Sequence, residues 1–192
     1  MFKRLYFFVL KRINMLSYAK KIGVKVGKNV QIAKTVCFDS EPYLITIGDN
    51  SKITNNVRFV THDGGVHVLR TLFEMADADY FAKISIGNNT FIGNNVTIMP
   101  GVSIGNNVVV GYGSIVTKDI PDNEVWAGVP AKRIESIDVY FEKKKPLLVN
   151  TKHMKPAQKK KYLKKQFGLL PNDCEDKKWV YLTKSVSALL SQ

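Results

Sequence analysis

His62 and His67 lie in the segment Val60-Thr-His-Asp-Gly-Gly-Val-His-Val-Leu-Arg70, which holds two of the chain's 3 histidines. Imidazole is the side chain whose proton affinity falls nearest neutral pH, so the segment offers either a general base or a pair of metal ligands. A histidine base works best when an acceptor holds its second ring nitrogen. Asp63 is adjacent, although strand alternation points it away from His62. Asp77, Asp79 and Glu74 follow in the next stretch, and all four acids stay open as the partner.

What positions these residues is a six-residue beat. Over Ile86 to Pro121 a branched aliphatic residue recurs without a slip at Ile86, Ile92, Ile98, Ile104, Val110 and Val116. The fifth place of each unit is Thr90, Val96, Val102, Val108, Ser114 or Ile120 and keeps the same phase. Neither the 3.6-residue period of a helix nor the spacing of a hairpin array fits this pattern, whereas a parallel β-helix does. Between beat and fifth residue sit pairs such as Asn88-Asn89, Asn94-Asn95 and Asn106-Asn107. Asn and Gly tolerate left-handed backbone, so these pairs are read as corners. Three short strands then close a triangular coil. Stacked coils satisfy one another's backbone hydrogen bonds and share one apolar core.

Earlier in the chain, Val26, Ile32 and Phe38 give a first coil, and Ile47, Ile53 and Phe59 a second after a small bulge. The beat then stops over residues 65–85 and resumes at Ile86. An interruption of that length in a regular solenoid is expected to be functional.

Gly111-Tyr-Gly-Ser-Ile-Val-Thr-Lys-Asp-Ile-Pro121, followed by Ala127-Gly-Val-Pro-Ala-Lys-Arg-Ile134, carries a resemblance. With the hexads, it is similar to the hexapeptide-repeat acyltransferases, and most to sugar O-acetyltransferases of the maltose and galactoside type. The resemblance implies an all-β solenoid, a left-handed parallel β-helix with a protruding loop. It implies an acetyl-CoA-dependent O-acetyltransferase acting on a sugar hydroxyl, with His62 as catalytic base. His62 takes the hydroxyl proton as the hydroxyl attacks the thioester and returns it to the departing thiolate. Backbone N–H groups of a tight glycine corner are expected to stabilise the oxyanion. The family binds acetyl-CoA, its co-substrate, between subunits of a homotrimer. Carried over, Gly93, Asn94, Gly111, Tyr112, Gly113, Ser114, Thr117 and Lys118 line the groove, and Lys132 or Arg133 meets the nucleotide phosphates. Tyr112 stands where the family often has Ala, and Glu135 where it often has a base. His67 and Arg70, deeper in the loop, are assigned to acceptor binding.

The 192-residue chain reads as one β-helix domain, 23–135, with a basic amphipathic N-terminal helix, 1–22, and a basic, mainly helical extension, 136–192. The net charge of +13 lies in the ends. Residues 1–28 carry eight Lys or Arg and no acid, residues 136–192 thirteen against five acids, and residues 29–135 eight against eleven. A slightly acidic body excludes a basic nucleic-acid groove along the solenoid, whereas basic ends suit an anionic membrane surface. Phe2, Leu5, Val9, Ile13, Leu16 and Ile22 recur at near-helical spacing among the N-terminal bases, which fits an end cap, a membrane contact or both. Leu5 to Leu10 is far too short to span a bilayer. The expected location is cytoplasmic, with peripheral attachment at the inner membrane face. The basic flanks favour an acceptor from surface polysaccharide biosynthesis, in capsule or lipopolysaccharide. Cys37 and Cys174 are read as two buried, unpaired thiols. In the tail, Pro156 to Phe167 reads as a helix stopped by Gly168, and Asn172 or Asp173 caps another carrying Trp179, Leu182, Val186 and Leu189.

Three other readings compete. An N-acetyltransferase uses the same scaffold on an amine. A γ-class carbonic anhydrase has two zinc histidines separated by four residues, as His62 and His67 are, but its third ligand comes from an earlier coil and no histidine precedes His62. No metal is therefore expected. A non-enzymatic scaffold leaves the His-Asp-Gly-Gly segment and the loop without a role.

Overall fold

The computed structural model describes residues 2–169. Two helices, α1 (Phe2–Ile13) and α2 (Met15–Lys21), precede the coils. The first coil contains β1 (Lys25–Val26), β2 (Gln31–Ile32) and a bridge at Cys37. The second contains β3 (Ile45–Ile47), β4 (Lys52–Ile53) and β5 (Arg58–Phe59). A helix, α3 (Val66–Leu72), occupies part of the interruption. The third coil has β6 (Ile84–Ile86), β7 (Phe91–Ile92) and β8 (Thr97–Ile98), and the fourth β9 (Ser103–Ile104), β10 (Val109–Val110) and β11 (Ile115–Val116). The stack closes with the antiparallel pair β12 (Glu124–Ala127) and β13 (Lys132–Ser136), followed by α4 (Ile137–Lys144).

Three sheets run up the solenoid, ordered β1-β3-β6-β9, β13-β12-β10-β7-β4-β2 and β11-β8-β5. All pairings within the coils are parallel and in phase, as in Ile47 with Ile86 and Val110 with Ile92. Both inward columns read from the sequence are buried: Ile92, Ile98, Val110 and Val116 have no exposure, nor do Val96 and Val108 from the fifth places. The polar fifth places are satisfied internally. Ser51 donates to the Gly87 carbonyl at 2.9 Å, Thr90 to the Gly105 carbonyl at 2.9 Å, and Ser114 to the Gly111 carbonyl at 2.8 Å.

The asparagine corners carry the stacking. Asn89, Asn95, Asn107 and Asn123 have φ between 52° and 62°, the left-handed region that Asn adopts more readily than most residues. Their side chains form ladders between coils, Asn89 Nδ2 to Asn107 Oδ1 at 2.9 Å and Asn107 Nδ2 to Asn123 Oδ1 at 2.8 Å. Gly87 allows the tightest approach of backbone to backbone, since a Cβ there would stand 2.5 Å from the Gly105 carbonyl oxygen.

The N-terminal segment is two helices rather than one. The side chain of Asn14 accepts from Ser17 N–H at 2.9 Å and caps α2, which ends α1 at Ile13. Cys37 is exposed rather than buried, because it follows the inward Val36 on the strand and points out. The chain divides into two compact units, Met1–Pro146 and Leu147–Gln192. The first extends beyond 135 because α4 packs on β12 and β13. In the second unit α5 (Pro156–Gln166) starts at the proline expected, and Gly168 has φ 64°. The further helix expected around Trp179 lies outside the described residues.

Candidate active site

β5 delivers the chain to a corner where Thr61 is fully buried and His62 turns outward. The loop is pinned at its root by pairing of its two limbs. Asp63 N–H donates to the Tyr80 carbonyl at 3.1 Å, Ala82 N–H donates to the Thr61 carbonyl at 3.0 Å, and His62 bridges Phe81. The Phe81 ring lies 6.1 Å from the imidazole.

The coil below fixes the other side of the ring. His62 Nδ1 lies 3.2 Å from Asp39 Oδ2, 3.8 Å from Glu41 Oε2 and 3.4 Å from Ser40 Oγ. Asp39 has φ 56°, a corner conformation, and its Oδ2 also accepts from Thr61 N–H at 3.3 Å. Glu41 accepts from the Ser40 hydroxyl and, at 3.3 Å, from that of Thr61. Both carboxylates are thereby anchored to the residue preceding the histidine. With Nδ1–H donating to Asp39, the lone pair of Nε2 is left for a proton acceptor's work. No described residue hydrogen-bonds Nε2. The His62 side chain is 39% exposed, so a substrate can reach it.

Two of the acids expected around the loop, Asp63 and Asp79, are employed elsewhere. Asp63 accepts from Gly65 N–H at 2.8 Å and turns the chain into α3. Asp79 pairs with Arg70, whose Nε also donates to the Ala78 carbonyl at 2.7 Å. Arg70 therefore ties the loop to itself. Asp77 and Glu74 are exposed, and Glu74 sits at φ 53°. His67 is exposed on α3, five positions beyond His62, and is not brought to the Asp39 cluster.

Of the residues expected to meet the donor, Gly93, Asn94 and Gly111 to Ser114 fall on one column of corners after the paired strands β7 and β10, whereas Thr117 and Lys118 follow β11 and Lys132 and Arg133 lie on β13. Gly93 and Gly111 stack closely, because a Cβ on Gly93 would lie 2.8 Å from Tyr112 N. Asn94 holds neighbouring coils, accepting from Asn55 N–H at 3.0 Å through its side chain and from Gly113 N–H at 2.8 Å through its carbonyl. It also borders a shallow cleft of ≈ 350 Å³ with Lys52 and Thr54. Tyr112 is exposed and packs edge-on against Phe91, with ring centroids 6.2 Å apart. Gly113 faces open space. Ser114 differs from expectation: it is buried, its hydroxyl spans Gly111 and Gly128, and it staples the corner from inside. Thr117 and Lys118 are exposed. Of the two cations near the end, Arg133 is held by Glu124 at 2.7 Å, whereas Lys132 makes no ion pair among the described residues. Glu135 is paired with Lys143.

The Glu124 carboxyl is held below its ordinary 4.5 chiefly by the Trp126 indole N–H, which outweighs the opposing effect of burial, with smaller help from Arg133. That triangle fixes β12 to β13 where the coil stack ends.

Residues 83–118 match the family model described as bacterial transferase hexapeptide (six repeats). Protein CapG of Staphylococcus aureus is 46% identical over 167 residues, 86% of this chain and 96% of that protein. This chain belongs to the hexapeptide-repeat acetyltransferase family. Galactoside O-acetyltransferase of Escherichia coli (strain K12) is 52% identical over 99 residues, 51% of this chain and 47% of that protein, so the match spans about half of that enzyme. A galactoside acetyltransferase structure in complex with coenzyme A superposes with a TM-score of 0.55 at 34% identity, covering 73% of this chain and 83% of that one. The acetyltransferase fold and the two kinds of helical end together describe a left-handed β-helix flanked by helices.

In this acetyltransferase the carboxylates at His62 are the residues the loop-based expectation missed. A signal for them existed in the hexad phase. Phe38 and Phe59 are successive inward residues of one column, stacked 5.4 Å apart. Counting from each places Asp39 beneath the residues that lead into His62.

Proposed function

We propose that His62 is the general base in transfer of an acetyl group from acetyl-CoA to a sugar hydroxyl, and that the acceptor is an intermediate of a bacterial surface polysaccharide presented at a membrane. The observation that carries this is the His62 imidazole at the root of the loop, with Nδ1 on Asp39 and Nε2 free of hydrogen bonds to described residues. A sugar hydroxyl is a weak nucleophile at neutral pH. Nε2 removes its proton as the oxygen attacks the thioester carbonyl, and positive charge on the ring is offset by Asp39. The new C–O ester bond forms, the C–S bond breaks, and the proton passes from Nε2 to the departing thiolate, which leaves as free thiol.

In the Gly111-Tyr112-Gly113 corner the N–H groups of Gly111 and Gly113 are held by the Trp126 and Asn94 carbonyls, so Tyr112 N–H, unbonded among the described residues, is the group suited to the donor side. Lys118 and Lys132, both exposed, suit the phosphates of the nucleotide. The basic ends, eight Lys or Arg without an acid in residues 1–28, support an anionic or membrane-borne acceptor. The working form is proposed as a homotrimer with three sites between subunits.

An acceptor screen tests the reading: thiol release from acetyl-CoA is followed with nucleotide sugars, lipid-linked glycans and free oligosaccharides. Acceptor-dependent release with an alkali-labile product is expected. An alkali-stable amide product would move the enzyme to the N-acetyltransferases, and no release with any sugar would defeat the sugar reading.

A further inference from the structure

The two N-terminal helices divide the work that the sequence assigned to one. α2 covers the end of the coil stack, with Met15 and Ala19 inside the core and Leu16, Tyr18 and Ile22 packed against it. α1 rests on α2 through a different face, where the Phe7 ring meets Tyr18 at 6.1 Å. That leaves Leu5, Val9 and Ile13 on one outward stripe, exposed by 60%, 42% and 73%, with Tyr6 and Phe8 exposed on either side. These are successive positions four residues apart, which share one face of a helix. End-capping explains the apolar residues of α2 and none of this stripe.

The charges around the stripe decide what it fits. Arg12 lies over the Phe8 ring, its guanidinium 4.4 Å from the centroid, so the cation borders the apolar face. Lys11 lies over the Tyr18 ring on the side that meets α2, 5.7 Å from its centroid, Lys20 and Lys21 are exposed at the end of α2, and no acid occurs before position 29. An apolar stripe bordered by cations alone is complementary to an acyl layer beneath anionic headgroups. At twelve residues, α1 is about 18 Å long, too short to cross a bilayer but sufficient to lie in its surface.

We infer that α1 is an in-plane anchor for an anionic lipid bilayer: Leu5, Val9 and Ile13 enter the acyl boundary while Arg12, beside them over Phe8, meets lipid phosphates. The contact names the physical surface behind the membrane-presented acceptor proposed above and rests on that reading only for its biological use. α2 then links the bilayer to the coil that carries Asp39, one layer from His62.

The test uses the full chain with phosphatidylcholine vesicles and with vesicles that also contain phosphatidylglycerol. Sedimentation with the anionic vesicles is expected, weakening as salt rises. The triple variant Leu5→Ser, Val9→Ser, Ile13→Ser should lose at least ~10²-fold in partitioning, the cost of removing three aliphatic insertions. Arg12→Gln should lose roughly fivefold, on anionic vesicles only. Acetyl transfer to a soluble sugar is measured in parallel and should be unchanged in the triple variant, so failure of the anchor and failure of the acetyltransferase reading are separate results. The inference is overturned if the full chain ignores anionic vesicles at low salt. It is equally overturned if the triple variant sediments like the parent, which assigns binding to another segment, or if that variant only changes particle size in light scattering, which makes the stripe a contact between copies.

Discussion

Asp39 and Glu41 both face His62 Nδ1, but not equally, at 3.2 Å and 3.8 Å. The shorter contact comes from a residue locked in a left-handed corner and tied to Thr61 N–H, so Asp39 orients the ring and Glu41 buttresses the corner. His62→Ala should lower kcat at least ~10²-fold, the lower end of what general-base catalysis supplies, with donor binding little changed. His67→Ala should leave kcat within a few fold, because α3 holds it away from the carboxylates. Steady-state kinetics on both variants checks this, and loss of turnover in His67→Ala alone would reverse the base assignment. Asp39→Asn keeps the shape but removes the charge that favours a protonated ring during attack. A kcat loss of roughly ten- to a hundredfold with nearly constant KM is expected, larger than for Glu41→Gln. Equal losses in the two variants would make the cluster a shared support instead. From sequence, His62 stood out because the beat ends beside it. Asp39 was obscured because neighbours across coils are far apart along the chain, and the bulge at Pro42–Leu44 breaks the eighteen-residue count.

At the scale of elements, the hexad run was legible because each inward residue repeats the same physical demand, a β-branched aliphatic filling one coil layer. The corners were legible for a related reason, since Asn tolerates φ near 54° and can hydrogen-bond its counterpart above. The N-terminal break was harder to read: apolar periodicity runs through it, and only the capping side chain of Asn14 marks the division. The same periodicity concealed that the stripe of α1 faces outward. The closing pair β12 and β13 makes a prediction about pH. Because Glu124 titrates below 4.5 in the folded chain, its bonds to Trp126 and Arg133 stabilise the fold at neutral pH. That contribution is fully present above the ordinary carboxyl range and is lost as pH falls through the lowered folded value. Followed by NMR, the Trp126 indole N–H resonance should shift with a midpoint below 4.5. Trp126→Phe should move the Glu124 midpoint upward, since it removes the largest cause. A midpoint at or above 4.5 in the parent would show that the triangle does not hold in solution.

For the whole molecule, the chain leaves large apolar residues exposed on the loop that begins at His62. Leu72, Phe73 and Met75 follow one another at the end of α3 with exposures of 66%, 62% and 53%, and Phe81, 47% exposed, lies beside His62. Isolated exposed apolar residues are ordinary, but a cluster on a loop fastened by Arg70 and Asp79 is a preformed contact surface. In the proposed homotrimer this surface is expected to pack on the neighbouring subunit and to wall the acceptor space over His62. Each buried Leu or Phe then contributes about 1.5–3 kcal/mol, while a buried unpaired carboxylate in its place costs several. Leu72→Asp with Phe73→Asp should therefore convert a trimer into monomers in light scattering, with the coil stack intact by circular dichroism because neither residue belongs to the core. Activity should fall at least ~10²-fold as water enters and positioning is lost. A monomeric double variant with the parent's kcat/KM would show that each site is complete within a single chain, whereas an intact but inactive trimer would place the loop's apolar residues on the acceptor instead of on the neighbour.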